Sequence, residues 1–136
     1  MSDLGLATVE AHAFLRVPAA VLAERLARPS AIARWAPRLR VEAFDDRGPD
    51  GLRAVVSGEL VGHLEWWLES HRHPPGTYVH FWLHGTATAG GPRRPAGRRW
   101  WRRRRERLLL EATLRRWRAA LRDLGDELAD RGAAPQ

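Results

Sequence analysis

Six apolar residues near the C-terminal end, Leu110, Leu114, Trp117, Leu121, Leu124 and Leu128, follow one another at steps of 4, 3, 4, 3 and 4. That spacing places them on one side of an α-helix, here predicted over 98–130, and such a ridge needs an apolar partner. The partner is offered upstream. Residues 8–17 alternate, with Val9, Ala11, Ala13, Leu15 and Val17 on one side and Thr8, Glu10, His12 and Arg16 on the other, as in a strand with one buried face. Pro18 suits the first turn of a short helix, with Val21, Leu22, Arg25 and Leu26 as its face and Pro29 as its stop. Ser30 is placed to cap a second short helix, Ala31–Ala36, which carries Ile32 and Trp35 and ends at Pro37.

Strands are then predicted at Val41–Phe44, Leu52–Val61, Leu64–Ser70 and Thr77–Thr86, punctuated by DDRGPDG, Gly62 and HRHPPG. With His73–Gly76 as a four-residue loop, Arg72 opposes Thr77, Leu68 opposes Phe81 and Trp66 opposes Leu83. One face then holds Leu64, Trp66, Leu68, Val79, Phe81 and Leu83. The other holds Glu65, Trp67, Glu69, His71, Tyr78, His80, Trp82 and His84, with Glu65 facing His84 and Glu69 facing His80. A slip of one residue would expose the apolar set, so the two faces are well specified. Residues 86–97 are rich in Gly and Pro and read as a flexible connector. The expected architecture is α+β: a curved antiparallel sheet of about five strands, two short helices, and one long C-terminal helix packed on the concave face. One domain over 1–136 suffices for that.

Composition removes several function classes. The chain has no cysteine, so thiolate zinc sites, disulfides and thiol catalysis are excluded. Walker loops, GxGxxG, HExxH and nucleophile elbows are absent too, and no catalytic residue, cofactor or metal is assigned. His80 and His84 share a face, but four residues along a strand separate them by roughly 13 Å, too far for one ion. No apolar run approaches the about 18 residues that cross a bilayer, and the N-terminus lacks a signal pattern, so a cytoplasmic protein is expected.

Charge is the uneven quantity. All 23 basic residues are arginine; residues 1–91 hold 9 of them against 10 acids (net −1), and residues 92–136 hold 14 against 6 (net +8). Arg98, Arg99, Arg102, Arg103, Arg104 and Arg105, preceded by Arg93 and Arg94, lie at the start of the long helix. Cations there oppose the helix dipole, so local stability does not explain them. An anionic partner would, and Trp100 and Trp101 beside them suit base stacking or a membrane surface. Solvated arginines at a frayed helix end are the plainer reading.

Three stretches carry a resemblance to a known group: LRVPAAVLAERLARPSAIARWAP (15–37), SGELVGHLEWWLE (57–69) with GTYVHFWLHG (76–85), and RAALRDLGDELADRG (118–132). They resemble actinobacterial members of the START-related SRPBCC superfamily, the polyketide cyclase/dehydrase and lipid-transport group with the helix-grip fold. The resemblance implies a small hydrophobic ligand, lipid or polyketide-like, held between sheet and helix. Any enzymatic role it implies is of the cyclase or dehydrase kind. Trp35, Trp66, Phe81, Leu83, Leu110, Leu114 and Trp117 are the residues that would line such a cavity, and the same residues would serve equally as a filled core. Two other partners are drawn from the surface. One is a second copy of the chain through the Trp67, Tyr78 and Trp82 face; the other is nucleic acid or anionic membrane through the arginine-rich segment 93–107.

Overall fold

The computed structural model describes residues 7–88 and 99–132. Strand β1 (Ala7–Leu15) leads into helices α1 (Ala19–Leu26) and α2 (Pro29–Trp35). Strands β2 (Leu39–Asp46), β3 (Gly51–Gly58), β4 (Leu60–Arg72) and β5 (Pro75–Ala87) follow, and helix α3 (Arg99–Gly132) closes the chain. The five strands form one antiparallel sheet in the order β1-β5-β4-β3-β2. The sheet is curved, and with two short helices and one long C-terminal helix the arrangement is of the α+β, helix-grip kind.

Alternation settles which side faces in. Leu64, Trp66 and Leu68 of β4 and Val79, Phe81 and Leu83 of β5 are all buried, as are Leu52, Ala54 and Val56 of β3. From the other side the α3 ridge meets them through Leu110, Trp117 and Leu121, also buried, with Leu114, Leu124 and Leu128 packed part-buried at its margins. Trp117 lies flat on Phe81, ring centres 4.4 Å apart, and Trp35 of α2 sets its edge against the same ring at 5.6 Å. This aromatic stack joins sheet, α2 and α3 at one point.

Several boundaries differ from the sequence reading. The β4–β5 turn uses two residues rather than four: Arg72 pairs with Pro75, Leu68 with Val79 and Trp66 with Phe81. This two-residue change of register leaves every side chain on its expected face, because strands repeat with period two. The predicted cross-strand partners change with it. Glu65 stands opposite Trp82, His84 opposite His63, and Glu69 opposite Tyr78.

The β3–β4 turn comes at Gly58 and Glu59, where Gly58 adopts φ 113°, and not at Gly62. Gly62 instead sits inside β4 directly across from Gly85, and a Cβ there would lie 2.0 Å from the His84 carbonyl oxygen. Close backbone approach is what this glycine supplies. Strand β2 is longer than expected, and a bulge between Ala43 and Asp45 leaves Phe44 exposed.

Prolines explain the helix differences. Pro18 precedes α1 as its cap residue, and Pro29 begins α2 rather than ending α1, a position where its missing N–H costs nothing. Ser30 therefore lies inside α2 and Arg28 caps it without a side-chain hydrogen bond. On α1, Ala23 is buried beside Leu22 and Leu26, whereas Val21 is exposed. Of the expected connector, Thr86 and Ala87 complete β5, and Thr88 donates its N–H to the Glu59 carbonyl at 3.0 Å. Its remainder, 89–97, lies outside the described residues, as do Arg93, Arg94 and Arg98.

Candidate functional site

Strand β1 stands at one edge of the sheet beside β5, and α3 packs against it. Its inward residues near α3 are small, Ala11 and Ala13, and the helix offers Gly125 to the same region. The alanines leave space on the strand wall, while Gly125 lets the helix come close to Leu15, whose Cδ2 would lie 3.0 Å from a Cβ there. A groove of about 510 Å³ opens there, with Ala11, Ala13, Leu15, Trp117 and Leu121 among its apolar walls. Polar residues border it as well: His12 of β1, Arg16 just past that strand, and Arg118, Arg122 and Asp126 of α3.

A second opening, of about 190 Å³, lies between α2 and α3 and is bordered by Trp35, Trp117, Leu121 and Leu124. Ion pairs clasp its mouth. Arg25 of α1 bonds Glu127 at 2.5 Å, and Arg34 of α2 bonds Asp123. The indole N–H groups of two residues bordering this opening, Trp35 Nε1 and Trp117 Nε1, are buried without an acceptor among the described residues. Indole nitrogen donates only, so each leaves hydrogen-bonding capacity for an acceptor.

Of the seven residues that sequence reasoning set around a cavity, Trp35, Trp66, Phe81, Leu83, Leu110 and Trp117 are at most 1% exposed, and Leu114 is part-buried. They do come together, around the Trp35–Phe81–Trp117 stack. Trp117 also walls both openings, and Trp35 the narrower one.

Sequence reasoning missed Glu106. Its carboxylate is 1% exposed; Oε1 accepts the backbone N–H of Ala87 at 3.1 Å and lies 3.7 Å from Arg102 Nε. Arg102 is thereby turned inward, whereas Arg103, Arg104 and Arg105 are exposed. Arg99 belongs to α3.

On the outer face of the sheet, histidines and aromatics pair across strands. Trp67 stacks on His80 at 4.9 Å, and Phe14 contacts Tyr78 at 4.9 Å. His80 Nε2 and Glu69 Oε1 are 2.5 Å apart, a diagonal contact that survives the change in register. Carboxylate oxygens accept, so Nε2 donates, and the other nitrogen of His80 is left to accept from His12 Nδ1–H at 2.7 Å. Glu65 turns instead to Arg53 and Arg47. Among the described residues no group of three or more His, Asp or Glu is placed to hold a metal ion.

His84 meets His63 at 3.3 Å, and its pKa is held below the ordinary 6.5, first by burial and then by the His63 charge. The unfolded chain therefore takes up this proton at higher pH than the folded one. The His84 contribution is present above about pH 6.5 and is lost as pH falls toward the folded value. Urea midpoints measured between about pH 8 and 5 should decline, and His84→Phe should make the decline shallower. An unchanged slope would contradict this.

No protein-family model matches the chain, and neither does any curated protein. Among solved structures, the chain is similar to DR_A0006 from Deinococcus radiodurans. The match has a TM-score of 0.56 at 12% identity and covers 90% of this chain and 96% of that one. It is similar more distantly to Ara h 8.0201, with a TM-score of 0.39 at 12% identity, over 79% of this chain and 95% of that one. The first likeness shows the fold.

Proposed function

We propose that the protein binds a small hydrophobic molecule, lipid or polyketide-like, in the groove between β1 and α3, as a member of the SRPBCC helix-grip group. The observation that carries this reading is the groove itself. Its volume of about 510 Å³ falls in the range of small-molecule sites, and its walls are apolar with a few polar groups around them. Burying roughly 300 Å² of ligand there would yield about 7 kcal/mol before the costs of association and ordering. Arg118 and Arg122 against the single Asp126 on the α3 side of the groove favour a ligand whose polar end is anionic or a hydrogen-bond acceptor.

Titration with a fluorescent long-chain fatty acid tests this. Ala13→Trp and Ala129→Trp fill the groove from opposite walls without removing any core atom. Each should weaken probe binding at least about 10-fold, the effect of losing roughly 1.4 kcal/mol, with the melting temperature preserved. Undiminished affinity in both variants would overturn the proposal.

A further inference from the structure

The solvent side of α3 carries a second pattern, one that packing does not use. Arg104, Arg107, Arg115, Arg118 and Arg122 fall within about 80° of one another around the helix and span about 27 Å of its length. All five are exposed, and Glu111 is the one acid in the row. Elsewhere in the fold six arginines, Arg25, Arg28, Arg34, Arg38, Arg47 and Arg53, are each in an ion pair. Among the described residues, no ion pair involves any of the five on the α3 row.

At the N-terminal end of this row the apolar side chains are exposed too. Trp100 is 60% exposed, Trp101 58% and Leu108 54%. The two indoles meet edge to face at 4.4 Å, and the Arg104 guanidinium lies 5.9 Å from the centre of the Trp100 ring. Trp100, Arg103, Arg104, Arg107 and Leu108 surround one shallow recess. Two tryptophans and a leucine facing water are unfavourable unless something covers them. The cover must also accept a dense positive charge.

We propose that this outer face of the first turns of α3 docks on an anionic lipid bilayer. Indole rings favour the headgroup layer, leucine reaches the acyl boundary, and guanidiniums hydrogen-bond lipid phosphates. Trp101 and Leu108 form their own strip beside the arginine row, as an amphipathic helix lying in an interface requires. A nucleic-acid duplex would match the cations and leave that strip in water. Arg118 and Arg122 also border the β1–α3 groove, but the docking face is the N-terminal part of the row, so the proposal does not depend on what that groove holds.

Co-sedimentation of the full chain with phosphatidylcholine vesicles, with and without phosphatidylglycerol, tests it. Binding should require the anionic lipid and weaken as salt rises. Arg103→Gln, Arg104→Gln and Arg107→Gln combined should lower partitioning on the order of 100-fold, three charges at the usual surface contribution. Trp100→Ala with Trp101→Ala, which changes no charge, should lower it by about 10-fold. These side chains are exposed, so the variants should keep the wild-type circular dichroism spectrum and any loss reports docking. Three results would overturn the proposal: wild-type indifference to phosphatidylglycerol, unchanged binding of the tryptophan variant, or tighter binding to a DNA duplex than to anionic vesicles.

Discussion

Truncating Trp117 to alanine is expected to lower the free energy of unfolding by about 3–5 kcal/mol. The side chain is 1% exposed and lies on the Phe81 ring at 4.4 Å with the two planes 24° apart. Its removal would leave a void beneath Trp35 and Phe81, in the one place where α2, α3 and the sheet meet. Alanine there loses both the transfer term and the contacts around the cavity. Because folded domains hold only about 5–15 kcal/mol, a large share of total stability goes with it. Trp117→Phe should cost much less, about 1–2 kcal/mol, since it keeps a ring and removes an indole N–H that has no acceptor among the described residues. Urea unfolding at constant m-value reads both effects. A loss below about 1 kcal/mol for alanine would mean that the ridge is not docked as described.

Glu106→Ala is expected to cost about 3 kcal/mol, through a different mechanism. Glu106 accepts the N–H of Ala87, the last residue of β5, and so fastens the start of α3 to the end of the sheet. Alanine leaves that buried N–H without a partner and removes the carboxylate beside Arg102. Glu106→Gln keeps a carbonyl oxygen that can accept the same N–H, and should retain most of the stability. Amide exchange at Ala87 distinguishes the two: fast in the alanine variant, protected in the glutamine variant. Equal stability of the two variants would show that the hydrogen bond contributes nothing.

The inward-facing residues of β4, β5 and α3 were legible because periods of two and 3.6 leave their imprint directly on the sequence. Register was not legible to the same degree. Moving β5 by two residues keeps Phe81 and Leu83 inside and His80 and Trp82 outside, so the hydrophobic pattern does not distinguish a two-residue turn from a four-residue one. Likewise Gly58 and Gly62 are the same residue in similar surroundings. One makes a turn and the other lets β4 approach the backbone of β5, and only the paired strand tells them apart.

Glu106 escaped notice because its charge marked it as surface. Yet it stands four residues before Leu110 on the ridge itself, and a carboxylate in that row was the available signal. The candidate groove was hidden for a related reason. Periodicity says which side chains point inward, but it does not say where two inward-facing surfaces fail to fill the space between them. Ala11 and Ala13 leave the opening by being small, whereas Gly125 lets α3 approach Leu15 closely. The large residues around Phe81, expected either to line a cavity or to fill a core, pack on one another, and Trp117 also borders both openings.

The most direct test of the account is an isotope-filtered NOE spectrum of the protein with a bound long-chain fatty acid. Cross-peaks from the acyl chain to the Ala11 and Ala13 methyls and the Trp117 and Leu121 side chains are the predicted result. An acyl chain that contacts only residues away from β1 and α3, or none at all, would contradict it.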